Sequence, residues 1–397
     1  MSGGRAGATR QSGGARQRRR LAEPLARLLL DSIDDSVRGT MPFSAYEGID
    51  VDSLNAAVFT HRVEPPVYLH LRDAGGAPTD LLDSMRARYQ FQIGRQLQVQ
   101  ADLAQLSAVL GDANLPWLTM KGPVLAERLW ARPDLRQYVD LDILVDRRDF
   151  GRVLDALIAS GAEMIDNNWD LVNRQMRAEV SVRLPNGTSL DLHWHVVNSA
   201  ALRRSFRFDT AQMLGRAVEA KIGSTTVLTL DPADTLLHLG YHTAHSGGHR
   251  LMWLKDVERA TTDPDLDWSE VLRRARAGGV ELALAVVLAR VARVMDFECP
   301  PPAAAFAPAR HAPWGWFAAA NDRRHPAPTL PSDRLSGQIA FKNTRRSSVA
   351  SAVAALASLK TRRGPIPSAI DNPLHVESGG AATRASYLRV VEGSREP

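Results

Sequence analysis

Apolar residues recur at three- and four-residue spacing through the first third of the chain. Leu82, Met85 and Tyr89, then Leu103, Leu106 and Leu110, predict helices over 21–110. Gly111-Asp112-Ala113-Asn114 breaks that pattern, and the periodicity then shortens. Leu115 to Met120 reads as a short strand. Lys121-Gly122-Pro123 turns the chain into a helix with proline in its first turn, and Val139 to Val145 reads as a second strand. A helix follows with Phe150, Val153, Leu154, Leu157 and Ile158 on its core face. Met176, Ala178, Val180, Val182 and Leu184 alternate, Pro185-Asn186-Gly187 turns, and Leu190 to Val196 alternates again, which predicts a β-hairpin. After Thr210 helical spacing returns, over about 231–246, 250–262, 268–278 and 280–296. From Pro300 the chain turns Pro/Ala-rich and loses periodicity. The pattern predicts an α+β fold. A small mixed β-sheet core over 111–215 is flanked by helical regions over 21–110 and 216–299. A basic N-terminus over 1–20 and a tail over 300–397 read as largely disordered, apart from one basic helix near Thr344 to Leu359.

Two strands carry acids where apolar residues are expected. In Tyr138-Val139-Asp140-Leu141-Asp142-Ile143-Leu144-Val145 the two carboxylates leave the same face of the strand. In Leu190-Asp191-Leu192-His193-Trp194-His195-Val196 the apolar residues take one face, and Asp191, His193 and His195 take the other. Burying like charges side by side is costly unless a cation compensates them, and hard oxygen ligands suit Mg²⁺ or Mn²⁺. Asp140, Asp142 and Asp191 therefore suggest a metal-dependent phosphoryl-transfer site.

Composition narrows the class only slightly. The 397 residues are 44% hydrophobic and 23% charged, ordinary for a globular protein. One cysteine, Cys299, excludes an internal disulfide framework and fits a reducing cytoplasm. No apolar run is long enough to span a bilayer, and Glu23, Arg27 and Asp31 interrupt the only stretch placed like a signal peptide. The net charge of +5 permits a polyanionic partner without requiring one, since much of the excess lies near the two ends.

The run Lys121-Gly122-Pro123-Val124-Leu125-Ala126, then Arg136, then Asp140-Leu141-Asp142, then Asp191-Leu192-His193-Trp194, resembles the nucleotidyltransferase superfamily of the DNA polymerase β type. The likeness is closest to a branch of largely uncharacterised bacterial members. Leu230-Asp231-Pro232-Ala233-Asp234 to Trp253-Leu254-Lys255-Asp256 looks like that branch's helical C-terminal part, so the resemblance covers about 100–260. It implies transfer of a nucleoside monophosphate from a nucleoside triphosphate to an acceptor hydroxyl, with release of pyrophosphate. Asp140, Asp142 and Asp191 would be both catalytic and metal-holding, with Mg²⁺ or Mn²⁺ as cofactor. Lys121, Gly122, Arg136 and His193 would bind the nucleotide. The superfamily's glycine turn is normally Gly-Gly or Gly-Ser; here it is Gly122-Pro123, so Lys121 and Arg136 would supply positive charge in compensation.

Other readings stay open. A small molecule or a protein is the favoured acceptor, and a tRNA end is possible. The fold also fits an RNA-modifying nucleotidyltransferase toxin, or a nucleotide-binding protein that lost turnover, for which Pro123 is the best support. His238, His242, His245 and His249 fall on one helical face and fit a zinc site, a polar wall of the cleft, or plain core histidines.

Overall fold

The computed structural model describes residues 24–46, 48–306, 313–324, 335–361 and 372–393. The expectation of disorder over 1–20 lies outside them. Seven strands form one mixed sheet: β1 (Trp117–Met120), β2 (Asp140–Val145), β3 (Glu163–Met164), β4 (Glu179–Arg183), β5 (Ser189–His193), β6 (Val218–Ile222) and β7 (Thr225–Thr229). Their order is β3-β4-β5-β2-β1-β7-β6. The central pairs are β1 antiparallel to β2 and β2 parallel to β5. Helices flank the sheet, and the fold class is α+β, as the alternation and periodicity predict.

The sheet separates two cores. Leu141, Ile143, Leu190 and Leu192 point to one, which they share with Val153, Leu154 and Tyr387. Leu144, Met120 and Leu118 point to the other, built mainly on the helices before and after the sheet. Alternation along β2 therefore aims Asp142 at the face that meets the C-terminal helices, not at the first core.

Local chemistry explains the element ends. Asp231 accepts a hydrogen bond from the Asp234 amide at 2.7 Å and starts helix Pro232–His245, with proline at its first position. Asp267 accepts from Ser269 and Glu270 to start helix Trp268–Gly278, which Gly279 ends at φ +70°. The hairpin closes through Leu184 N–H to Thr188 O at 2.8 Å, with Gly187 at φ +93° supplying the turn. The 34-residue helix Thr79–Asp112 braces two loops. Gln92 donates to Tyr138 O at 3.0 Å, and Asp102 accepts from Asn186 at 2.8 Å.

Two boundaries differ from the sequence reading. The region after 215 is not purely helical: Val218–Ile222 and Thr225–Thr229 form a hairpin that joins the sheet through Thr119 and Thr229. Nor is all of 300–397 without structure. Helix Gly380–Gly393 packs on the first core, with Tyr387 and Val391 buried. The Tyr387 hydroxyl donates to Arg177 O at 2.7 Å and accepts from Trp194 Nε1 at 2.9 Å. The expected basic helix forms as Ser348–Thr361, shifted from Thr344–Leu359. Lys342, Arg345 and Arg346 precede it, Lys360 is part of its sequence, and Val349, Val353 and Leu356 are exposed. Arg362 and Arg363 lie outside the described residues. No helix among the described residues is long and apolar enough to cross a membrane.

Candidate active site

Strand register assembles the site. In the parallel β2–β5 pair Asp142 lies directly beside Asp191, and in the antiparallel β1–β2 pair Met120 lies opposite Asp142. Lys121, the next residue, thereby reaches Asp142, with Nζ 2.7 Å from Oδ1. His193 follows Asp191 on the same face, and its Nε2 is 3.2 Å from Asp142 Oδ1. Asp142, Asp191 and His193 each offer an atom that lies within 4.8 Å of the other two. Asp140 shares the Asp142 face and lines the adjoining cleft, but it is not in this group.

The turn that carries Lys121 is strained. Lys121 has φ +48° and ψ −145°, sparsely populated for a residue with a Cβ, and Gly122 has φ +39°. A Cβ at Gly122 would sit 3.2 Å from Asp140 O, so glycine lets the turn close against β2. The helix Gly122–Leu129 starts there with few free donors. Pro123 has no N–H, and the Val124 and Leu125 amides both return to Lys121 O, at 3.1 and 3.3 Å.

Arg136 is held away from a free phosphate-binding role. Its Nε and Nη2 each donate to the Asp256 carboxylate at 2.9 Å, and Nη1 donates to Gly122 O at 3.1 Å. Both side chains of this bidentate pair are buried. Arg136 lines the cleft, yet its fork is committed, two nitrogens to Asp256 and one to the glycine turn.

Charge in the group is finely partitioned. Burial alone would raise the Asp142 pKa, but the Lys121 ammonium and the His193 hydrogen bond outweigh it and hold it far below the usual carboxylate range. Burial, with the Asp142 charge adding to it, pushes Asp191 up to about 7. The same two causes raise Asp140, against the pull of Lys121. Burial works to lower His193, but Asp142 and Glu179 overcome it, and its pKa is raised. Two carboxylates and an imidazole with this electrostatic imbalance fit a divalent cation, which would neutralise the acid that the fold leaves uncompensated.

Two contributors escaped the sequence reading. Ser181 pairs with Asp191 across β4–β5, and its hydroxyl donates to Asp191 Oδ1 at 2.6 Å. Glu179 pairs with His193, with Oε2 3.5 Å from Nδ1. The alternation Ala178, Val180, Val182 already put Glu179 and Ser181 on the opposite face, which is where the acids are. His195 turns out of the group and accepts from the Val197 amide at 2.9 Å. Among the histidines of the later helix, His242 lines the cleft, His238 is buried, and His245 packs on Phe206 and Tyr241. No three of these histidines group as metal ligands among the described residues.

The cleft beside the acids has a volume of about 180 Å³, between the sheet and the helical layers. A mixed sheet thus brings neighbouring acids to this cleft, after a glycine turn and between helices. Residues 47–296 match the family model of the uncharacterised nucleotidyltransferases, and the chain belongs to that family. Among solved structures, the chain is similar to an antigenic nucleotidyltransferase-like protein from Paracoccidioides brasiliensis. The two are 13% identical with a TM-score of 0.26, over 51% of this chain and 94% of that one. No curated protein matches the chain.

Proposed function

We propose that the protein is a metal-dependent nucleotidyltransferase, moving a nucleoside monophosphate from a nucleoside triphosphate to an acceptor hydroxyl. The observation that carries this reading is the largely buried trio of Asp142, Asp191 and His193, of which Asp142 lines the cleft beside the Lys121-Gly122 turn. The trio would hold Mg²⁺ or Mn²⁺, which when bound screens phosphate charge and lowers the pKa of the attacking hydroxyl. Asp140, on the same strand face, faces the nucleotide side of the cleft. Lys121 exchanges its contact with Asp142 for a contact with the phosphates, and the Gly122 amide adds a donor there. The acceptor oxygen attacks the α-phosphorus, the bond to the β-phosphate bridging oxygen breaks, and pyrophosphate leaves. The hydroxyl proton passes to the Asp191 carboxylate, which Ser181 holds in place.

A small molecule or a protein side chain is the favoured acceptor, because the described cations of the expected basic stretch, Lys342, Arg345 and Arg346, are not among the residues that line the cleft. A tRNA end is the alternative, and mass spectrometry of reaction products separates the three.

Lys121→Ala is expected to weaken triphosphate binding by roughly ten- to a hundredfold, since a charge-assisted contact to phosphate is worth about 1.5–3 kcal/mol. Calorimetric titration of the four triphosphates with Mn²⁺ measures it, and unchanged affinity would remove Lys121 from the phosphate site. An imidazole ligand beside two carboxylates suits Mn²⁺ better than Mg²⁺. Turnover is therefore expected to be higher with Mn²⁺ at equal concentration, and a clear preference for Mg²⁺ would argue that His193 is not a ligand.

A further inference from the structure

Away from the acids, the cleft is walled by two arginines from regions far apart in sequence. Arg62 ends helix Val51–His61 in a left-handed conformation, at φ +56°. Arg250 precedes helix Leu251–Thr261, whose first-turn residues Met252 and Trp253 line the same cleft. The Leu251 amide donates to His61 Nδ1 at 3.3 Å, which ties the two helix ends together. Arg250 lies 4.4 Å over the Trp253 ring, and Arg62 lies 5.4 Å over Phe59. Such stacking holds a guanidinium in place but does not neutralise it.

Neither guanidinium has a carboxylate within salt-bridge distance among the described residues, unlike Arg136 with Asp256 or Arg274 with Asp231. The Arg250 Nε is buried and without a hydrogen-bond partner. Burial, and next the Arg62 charge, depress the Arg250 pKa, while the Asp140 charge opposes them. Two like charges brought together, half-buried and unpaired, cost stability unless an anion completes them. The start of helix Leu251–Thr261 adds positive potential on the same side.

We propose that Arg62 and Arg250 form a phosphate-binding position of the cleft that works without the metal, separate from the Asp142–Asp191–His193 group. It rests on the reading of the cleft as a nucleotide site and assigns the anion contact that Arg136 does not provide. The group bound is a phosphate, either the distal phosphates of the nucleotide or a phosphate carried by the acceptor.

The test is calorimetric titration of the full chain with inorganic tripolyphosphate and, separately, with orthophosphate, in EDTA. Binding is expected in the wild type, with affinity at least tenfold weaker in Arg62→Gln and in Arg250→Gln, and partial recovery in Arg250→Lys. Thermal melts confirm that the variants fold. A second arm saturates the protein with a non-hydrolysable triphosphate and Mn²⁺ before adding orthophosphate. Loss of orthophosphate binding assigns the position to the nucleotide, and retained arginine-dependent binding assigns it to the acceptor. Metal-free binding that is absent, or equal in folded wild type and both glutamine variants, overturns the proposal. That outcome leaves the nucleotidyltransferase reading standing if metal-dependent turnover is present.

Discussion

Asp191→Asn is expected to abolish nucleotidyl transfer and at the same time to make the metal-free protein more stable. The two effects have one cause. Asp191 is largely buried beside Asp142, and its pKa rises to about 7 from an ordinary value near 3.8. In the unfolded chain the carboxyl has lost its proton above pH 4, whereas in the folded chain it keeps the proton until about pH 7. The folded state therefore binds more protons over that window, and stability falls as pH rises through it. Asparagine is neutral at every pH, keeps a similar shape, and still accepts from Ser181, so it escapes this cost. The gain should be negligible below pH 4 and reach on the order of 2–4 kcal/mol above pH 7. Turnover should fall at least a thousandfold, because the side chain can neither help hold the cation nor receive the acceptor's proton. Denaturant melts of both proteins in EDTA at pH 4 and pH 8, with product formation measured in Mn²⁺, test the pair of effects. A variant that is less stable at pH 8, or that keeps turnover, would contradict the site as assembled.

Much of this geometry is already present in short-range patterning. The acids could be read because Leu141, Ile143, Leu190 and Leu192 mark the opposite face of their strands, and strand alternation has no third option. The helices of 232–294 could be read because Asp231, Asp267 and Gly279 punctuate a strong apolar period. What escaped depended on elements meeting across the fold. The hairpin β6–β7 is the exception: Val218-Glu219-Ala220-Lys221-Ile222 alternates strictly and Gly223-Ser224 offers the turn, so local pattern alone marks it even between two helical stretches. Helix Gly380–Gly393 buries little besides Tyr387 and Val391, too sparse a stripe to stand out from a Pro/Ala-rich tail. The resemblance identified Arg136 as a cation near phosphate, but nothing local says that Asp256, 120 residues later, claims it. Arg62 and Arg250 are similarly invisible, since only the docking of two helix ends makes them neighbours.

The Arg136–Asp256 pair is where the largest loss of stability is expected. Asp256 is fully buried and accepts three hydrogen bonds, two from Arg136 and one from Trp130 Nε1 at 2.8 Å. Replacing it with alanine leaves a guanidinium in the core with no counter-charge and an indole N–H with no acceptor. Removing one partner of a buried, hydrogen-bonded ion pair costs about 3–5 kcal/mol, a large share of the roughly 5–15 kcal/mol by which domains are stable. Asp256→Ala should therefore lower the melting temperature by many degrees. Asp256→Asn, which keeps an acceptor, should cost less. Arg136→Met removes the other charge and is expected to be costly too, because it leaves the Asp256 carboxylate buried. The double variant Arg136→Met/Asp256→Leu, with neither charge, should recover much of the stability of the single variants. It should not recover function, because Gly122 O loses the Nη1 donor that holds the strained turn in place. A double-mutant cycle on unfolding free energies separates the terms. A folded double variant with near wild-type stability and weakened triphosphate binding would show the pair acting on the site through the glycine turn. Additive stability losses with unchanged binding would reduce it to an ordinary structural contact.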